Sequence, residues 1–184
     1  MRGRRFALMA GLCLPSLCVG AQPLFSDHPR VSRPAALWLL DQQQMTGELQ
    51  RKEADGSVSV MPLREGWLHG VVKSRYADGQ PRGEGGFVLG QAQGVHRAWW
   101  PSGRLRSEQN FEQDRPQGLS RTWYASGQRY EEHRYERGQE AGLQRVWFED
   151  QRLRASYEVR NGRRFGNIGA MGCVGGDKPA EVTP

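Results

Sequence analysis

The chain has 184 residues, of which 26 are Lys or Arg and 20 are Asp or Glu, and its formal net charge is +6. The three arginines of residues 1–21 account for half of that excess, so residues 22–184 carry a net charge of +3. Basic and acidic residues alternate there instead of clustering. The charge distribution therefore gives no support for nucleic acid as the partner.

The first 21 residues are typical of a secretory signal peptide. Three arginines precede an apolar run over residues 6–19, and small residues then form a cleavage pattern that ends at Ala21. The run is shorter than the roughly 20 residues that a membrane-spanning helix needs, which disfavours an uncleaved anchor. Leucine precedes both Cys13 and Cys18, where lipoprotein processing expects a small residue. We therefore predict export to the periplasm after cleavage behind Ala21.

Two segments flank the central part of the chain. Residues 22–46 contain prolines at positions 23, 29 and 34 before a short apolar run, and we predict a tether followed by an apolar cap. Residues 169–184 are predicted to form a flexible C-terminal tail. The tail contains Cys173, which is the one cysteine left after cleavage and so has no internal disulfide partner. Two interpretations of this free thiol stay open, a group that binds copper or another protein, and an inert residue.

The region between these segments, residues 47–168, is a tandem repeat with a period of 24 residues. A tryptophan stands five places after three of the repeat-defining glycines, an aromatic residue six places after four of them, and a glutamate fourteen places after three of them. A fixed period in this range is the mark of a repeat array, in which each unit is stabilised mainly by its neighbours. The repeat-defining structural residues are Gly70, Gly94, Gly118, Gly142, Gly166, Trp100, Tyr124 and Phe148.

Each unit is predicted to be a β-hairpin. In residues 118–141, two short runs of β-favouring residues flank the turn at residues 125–128. Glycine suits such a turn because it accepts positive φ without steric cost. No window shows a sustained helical period. The predicted fold is therefore all-β, with about five tandem hairpin units in an elongated single-layer antiparallel sheet.

Pairing the sixth position of a unit with the eleventh assigns side chains to two faces, because side chains alternate along a strand. One face is then apolar, and the other carries rows of Arg and Glu that pair across each hairpin. On this face we also expect Arg106 to stack on Trp99 and Arg154 on Trp147. The candidate partner-binding residues are Trp99, Trp123, Trp147, Arg97, Arg121 and Arg145.

Two interpretations of the tryptophans stay open. They form an exposed row for a partner, since Trp and Arg are enriched at binding hot spots, or they cover arginine stems and backbone in a thin fold. The phased glutamates Glu84, Glu108 and Glu132 are interpreted as a structural ladder. The four histidines have unrelated phases, and no catalytic triad or metal cluster is visible. We predict no catalytic residue, no metal, no cofactor and no small-molecule substrate.

The unit that starts at Gly118 resembles the variant MORN repeat (membrane occupation and recognition nexus). The unit from Gly94 departs from it at Asp114, where glycine is expected, and the similarity extends over residues 47–166. The chain also resembles exported members of the YwqK-type antitoxin-like family, and this resemblance implies protein contacts and no catalytic residues. The residues that match the repeat in full are Gly118, Trp123, Tyr124, Gly127, Glu132, Tyr135 and Gly138.

These observations predict a non-catalytic exported protein that acts as a protein–protein interaction or scaffold module. A peripheral binder of an anionic membrane surface is an alternative, because basic and aromatic side chains together suit such a surface. The near-balanced charge favours a protein partner over the membrane. An antitoxin-like neutraliser of a toxin is a second alternative, and the sequence does not indicate which protein is bound.

Overall fold

The computed structural model describes residues 24–25, 31–33 and 37–168. The predicted leader (1–21), the predicted tail (169–184) and Cys173 lie outside the described residues. All regular elements of the described residues are β-strands, which confirms the predicted all-β class. No helix in these ranges is long and apolar enough to cross a membrane.

Seventeen strands occur in the described part of the chain, and most of them are joined by tight turns. In chain order they are β1 (Leu24–Phe25), β2 (Val31–Ser32), β3 (Leu39–Leu40), β4 (Gln43–Gln44), β5 (Gly47–Lys52), β6 (Val58–Arg64), β7 (Trp67–Leu68), β8 (Gly70–Arg75), β9 (Pro81–Val88), β10 (Gln91–Trp99), β11 (Leu105–Glu112), β12 (Arg115–Trp123), β13 (Arg129–Glu136), β14 (Gln139–Glu140), β15 (Gly142–Trp147), β16 (Leu153–Arg160) and β17 (Arg163–Asn167).

One open sheet contains fourteen of the strands that the structure describes. From β5 to β17 its strands follow one another in chain order and pair antiparallel, with the short β7 and β14 pairing with β6 and β13. β1 adds to β5 in parallel at the first edge. The sheet is therefore a run of consecutive hairpins, as the 24-residue period predicted.

Two-residue turns in which both residues have positive φ join each hairpin to the next. Arg137 and Gly138 have φ of 51° and 85°, which is the type I′ geometry that matches the twist of paired strands. Asp114 has φ of 64° at the position where the repeat expects glycine. Aspartate tolerates this left-handed conformation, and its Oδ1 accepts the N–H of Ala92 at 2.6 Å. The departure from the repeat is thus accommodated without a change of turn.

The period-24 glycine adopts positive φ in each unit, from 69° at Gly142 to 113° at Gly70 and Gly166. The register shifts close to it, as between Gln109 and Phe111 in the pairing of β11 with β12. It therefore marks a β-bulge that recurs along the sheet. The residue opposite this glycine on the neighbouring strand has a large side chain. Because glycine has no Cβ, that side chain meets no side-chain atom of its cross-strand partner. These pairs are Gly70 with Phe87, Gly94 with Phe111, Gly118 with Tyr135 and Gly142 with Val159.

A buried apolar cluster lies at the first end of the sheet, where the three-stranded sheet β2–β3–β4 meets β5 and β6. Main-chain hydrogen bonds fix the contact, since Trp38 N–H donates to the carbonyl of Gly66 at 2.8 Å and Gly66 N–H to that of Met45 at 2.7 Å. Burial of these side chains stabilises the start of the array. The cluster consists of Trp38, Met45, Leu49, Met61 and Leu63.

Candidate functional site

Seven charged side chains of alternating sign form one row across the sheet, which we call the charged row. Each member is the direct cross-strand partner of the next. Direct cross-strand partners project from the same face, so all seven lie on one face, the ladder face. The charged row consists of Lys73, Glu84, Arg97, Glu108, Arg121, Glu132 and Arg145.

Ion pairs link most of this row. Within hairpins, Arg97 Nε lies 2.9 Å from Glu108 Oε2 and Arg121 Nε lies 3.1 Å from Glu132 Oε2. The ion pairs between hairpins are longer, from 3.6 to 4.0 Å. The hydrogen bond that Arg97 Nε donates to Glu108 raises the pKa of Arg97. The predicted pairing of Arg and Glu rows is confirmed, and it also joins each hairpin to the next.

Glu132 connects the charged row to a tryptophan. Besides Arg121 and Arg145, it contacts Arg129 at 3.2 Å, and its side chain is 16% exposed. The Arg129 guanidinium also lies over the ring of Trp147, 5.7 Å from its centroid. Arg129 therefore holds Trp147 next to the charged row through a cation–π contact.

The predicted stacking of Arg106 on Trp99 and of Arg154 on Trp147 is wrong. Arg106 stacks on Trp100 at 4.9 Å and Arg154 on Phe148 at 5.5 Å. The reason is a register shift next to each turn, which makes Leu105 and Leu153 the partners of the two tryptophans. This one-residue bulge moves each arginine to the following aromatic residue.

The predicted tryptophans form a half-buried row two places after the arginines of the charged row, and we call it the tryptophan row. The structure brings each arginine and its tryptophan together on one strand. Each tryptophan also accepts a hydrogen bond at its main-chain carbonyl from an aromatic side chain of the preceding hairpin, at 2.7 to 3.1 Å. The row consists of Trp99, Trp123 and Trp147.

Sequence reasoning missed a third row on the ladder face, the aliphatic row. Its members directly follow the period glycine and stand two places before the cations of the charged row, so alternation puts them on the same face. Strand spacing separates successive members by about 9.6 Å. The period itself could have revealed them, since an aliphatic residue recurs at this phase. The members and their exposed fractions are Val71 (50%), Val95 (42%), Leu119 (41%) and Leu143 (42%).

The opposite face carries a cleft of about 410 Å³ around His96. The ring of His96 lies between Phe87 and Phe111, with centroid distances of 5.2 and 4.7 Å, and its Nε2 is 2.9 Å from the carbonyl oxygen of Gly86. A Cβ at Gly85 would clash with this ring, so glycine makes room for the imidazole. His96 is thus packed as a structural residue. Within the described ranges, no group of three His, Cys, Asp or Glu side chains could hold a metal.

Residues 68–88 match the family model of the MORN repeat variant. The match spans one hairpin, β8 and β9 with their turn. The resemblance to the MORN repeat variant is confirmed for this hairpin, and assignment to the YwqK-type family stays a prediction. The MORN repeat variant is generally a non-enzymatic module, which suggests a repeat protein that binds. No curated protein matches this chain.

Proposed function

We propose that this chain is a non-catalytic, exported binding module that holds another protein against its ladder face. The aliphatic row carries the proposal. Single exposed aliphatic side chains are ordinary on protein surfaces, but four of them at a fixed spacing on one face form a patterned apolar surface. A rigid sheet presents such a pattern with little entropy to lose on binding.

The neighbours of the aliphatic row suit a protein interface. The tryptophan row and the arginines lie on the same strands, and Trp and Arg dominate the energetics of known interfaces. Full burial of a Val or Leu side chain contributes about 1.5–3 kcal/mol. Because these side chains are 41 to 50% exposed, a partner would gain roughly half of that at each position.

The charged row favours a protein over an anionic membrane. Its four cations stand against three glutamates, so the row has a net charge of +1. Three of the cations, Arg97, Arg121 and Arg145, already contact carboxylates of the row. Basic residues attract anionic lipid when they are free, at about 1 kcal/mol each. Paired arginines instead give a partner protein a fixed pattern of alternating charge, which favours one docking register.

Capture of proteins from an envelope extract tests this function. The double variant Leu119→Thr/Leu143→Thr removes half of the aliphatic row and keeps β-favouring residues. Leu89→Asn is the control, since Leu89 is 57% exposed in the turn between β9 and β10, where its φ of 49° suits asparagine, and it belongs to none of the three rows. Equal midpoints of urea unfolding would establish that all baits are folded.

We expect the wild type and the Leu89 variant to retain the same proteins, and the double variant to lose them at least tenfold. Equal capture by all three baits would contradict the proposal. Salt-sensitive sedimentation with anionic vesicles, unaffected by the double variant, would favour the membrane alternative instead.

A further inference from the structure

We propose that β17 receives an extended segment of a partner protein, which adds as the next antiparallel strand. The segment would place a carboxylate opposite Arg163 and an apolar side chain opposite Phe165. The added strand would bind through the main-chain edge of β17 and needs no member of the three rows, so the proposal does not rest on the function proposed above.

β17 is the last strand of the sheet in the part of the chain that the structure describes. It pairs with β16 alone among the described strands, and all five of its residues are exposed. An edge strand leaves a row of main-chain N–H and C=O groups without a partner on its outer side. The first edge differs, because β1 pairs along β5 there.

β17 lacks most of the features that protect edge strands. It contains neither proline nor lysine, and Phe165 is 54% exposed. The side chain of Arg164 does not cover the outer main chain of β17, because it is held by two contacts with other strands. Its Nη2 lies 3.0 Å from Glu140 Oε2, and its guanidinium stacks over Tyr157 at 5.1 Å. The main chain of β17 is therefore accessible to an added strand.

Charge indicates what kind of segment fits. Arg163 is the direct cross-strand partner of Arg160, which is an unfavourable pair of like charges. Arg160 is compensated by Glu158, but no carboxylate of the described residues forms an ion pair with Arg163. Cross-strand neighbours of the charged row alternate in sign, so a carboxylate on the next strand would restore that alternation at the edge.

The ladder face also fixes the order of side chains in the segment. Phe165 is the cross-strand partner of Glu158, which in turn is the partner of Leu143, so Phe165 continues the aliphatic row. Arg163 and Phe165 are two places apart and share this face. The segment therefore needs an acidic and an apolar residue two places apart.

A second copy of this chain fits the edge less well. Antiparallel self-pairing about Phe165 would place Asn167 of one copy opposite Arg163 of the other, and would therefore supply no carboxylate to Arg163. A segment of another protein can supply one.

The test uses a fluorescent eight-residue peptide of threonines with one glutamate and one valine two places apart. Fluorescence anisotropy would measure its binding to the full chain, and hydrogen exchange would follow the amides of β17. Two control peptides replace the central residue by proline, which cannot complete the strand ladder, or the glutamate by lysine.

The matched protein variants are Arg163→Glu and Arg115→Glu. Arg115 stands at the same phase as Arg163, 48 residues earlier, but in the interior strand β12. Each change reverses the charge of the residue that follows a two-residue turn, at positions 113–114 or 161–162. A general effect of net charge on peptide binding would therefore be equal in the two variants.

We expect the glutamate peptide to bind the wild type and the Arg115 variant equally, and to bind Arg163→Glu at least tenfold less tightly. Binding to the wild type should slow hydrogen exchange of the β17 amides. The lysine peptide should prefer Arg163→Glu, which a merely unfolded variant would not produce. The proposal is overturned if the glutamate peptide does not bind, or if the proline peptide binds as well. Concentration-dependent dimers with protected β17 amides, seen without peptide, would assign the edge to a second copy.

Discussion

The hydroxyl of Tyr124 donates a hydrogen bond to the main-chain carbonyl of Trp147, which belongs to the next hairpin, at 2.9 Å. Tyr76 donates to Trp99 in the same way at 2.7 Å, and Trp100 Nε1 donates to Trp123 at 3.1 Å. The aromatic residue six places after Gly70, Gly94 and Gly118 thus ties its hairpin to the following one. In these three units the residue at this position supplies a hydrogen-bond donor as well as an aromatic ring.

Tyr124→Phe should therefore destabilise the protein by about 1 kcal/mol, because it removes the donor and leaves the Trp147 carbonyl without this partner. Tyr135→Phe is the control, since no hydrogen bond of its hydroxyl occurs among the described residues, and its cost should be clearly smaller. Urea unfolding would measure both free energies. Equal losses would mean that the link between hairpins contributes little.

Glu132→Gln should destabilise the protein more than Glu84→Gln. Glu132 contacts three arginines and its side chain is 16% exposed, whereas Glu84 is 36% exposed and, among the described residues, pairs with Arg97 alone at 3.6 Å. We expect a loss of about 1–2 kcal/mol for Glu132 and less than about 0.5 kcal/mol for Glu84. Urea unfolding in low salt and in concentrated salt checks this, because screening should reduce the difference. Equal, salt-independent losses would argue against a charged network.

Gly118→Ala and Gly66→Ala distinguish two reasons why glycine is needed, a positive φ alone and a positive φ together with a lack of space for a Cβ. At Gly118, φ is 74° and no atom lies within 4 Å of an added Cβ, so alanine should cost only the left-handed backbone penalty of about 1–2 kcal/mol. Gly118→Asn should recover most of it. At Gly66, the Cβ would lie 2.5 Å from Leu37 Cδ1 and 2.9 Å from the Trp38 carbonyl oxygen, which adds overpacking of about 1–3 kcal/mol. If urea unfolding gave equal losses for both alanine variants, the contact between Gly66 and the small sheet would be unimportant.

Stability should fall at alkaline pH because of Tyr130. Burial raises the pKa of Tyr130 from its ordinary value of about 10 to about 12. A raised pKa in the folded state means that the neutral phenol is favoured there, so its stabilisation is complete below pH 10 and is lost as the pH rises towards 12. The free energy of unfolding should fall by up to about 1.4 kcal/mol per pH unit from this group. Tyr130→Phe should flatten the profile between pH 10 and 12, and an unchanged slope would show that other groups cause the loss.

The sequence predicted the hairpin array because glycine, aromatic and glutamate positions recur with one period, and this regularity also determined the pairing of Arg121 with Glu132. It did not predict the stacking partners. The bulge beside each turn shifts the register by one residue, and a shift of Arg106 from Trp99 to Trp100 leaves the residue types unchanged. The aliphatic row was missed because Val95 and Leu119 lie on the face that the Arg and Glu rows mark as polar, and residue type alone does not reveal how exposed an aliphatic side chain is. The unprotected edge at Phe165 depends on which strand ends the sheet, which the repeat period does not specify.

Hydroxyl-radical footprinting of the chain, alone and with a captured protein, tests the central claim most directly. We predict that the labelling of Leu119, Leu143 and Val95 falls at least fivefold on binding, while labelling of Leu89 is unchanged. Protection confined to Leu89 or to the cleft around His96, with the aliphatic row labelled as before, would contradict the claim that the ladder face is the binding surface.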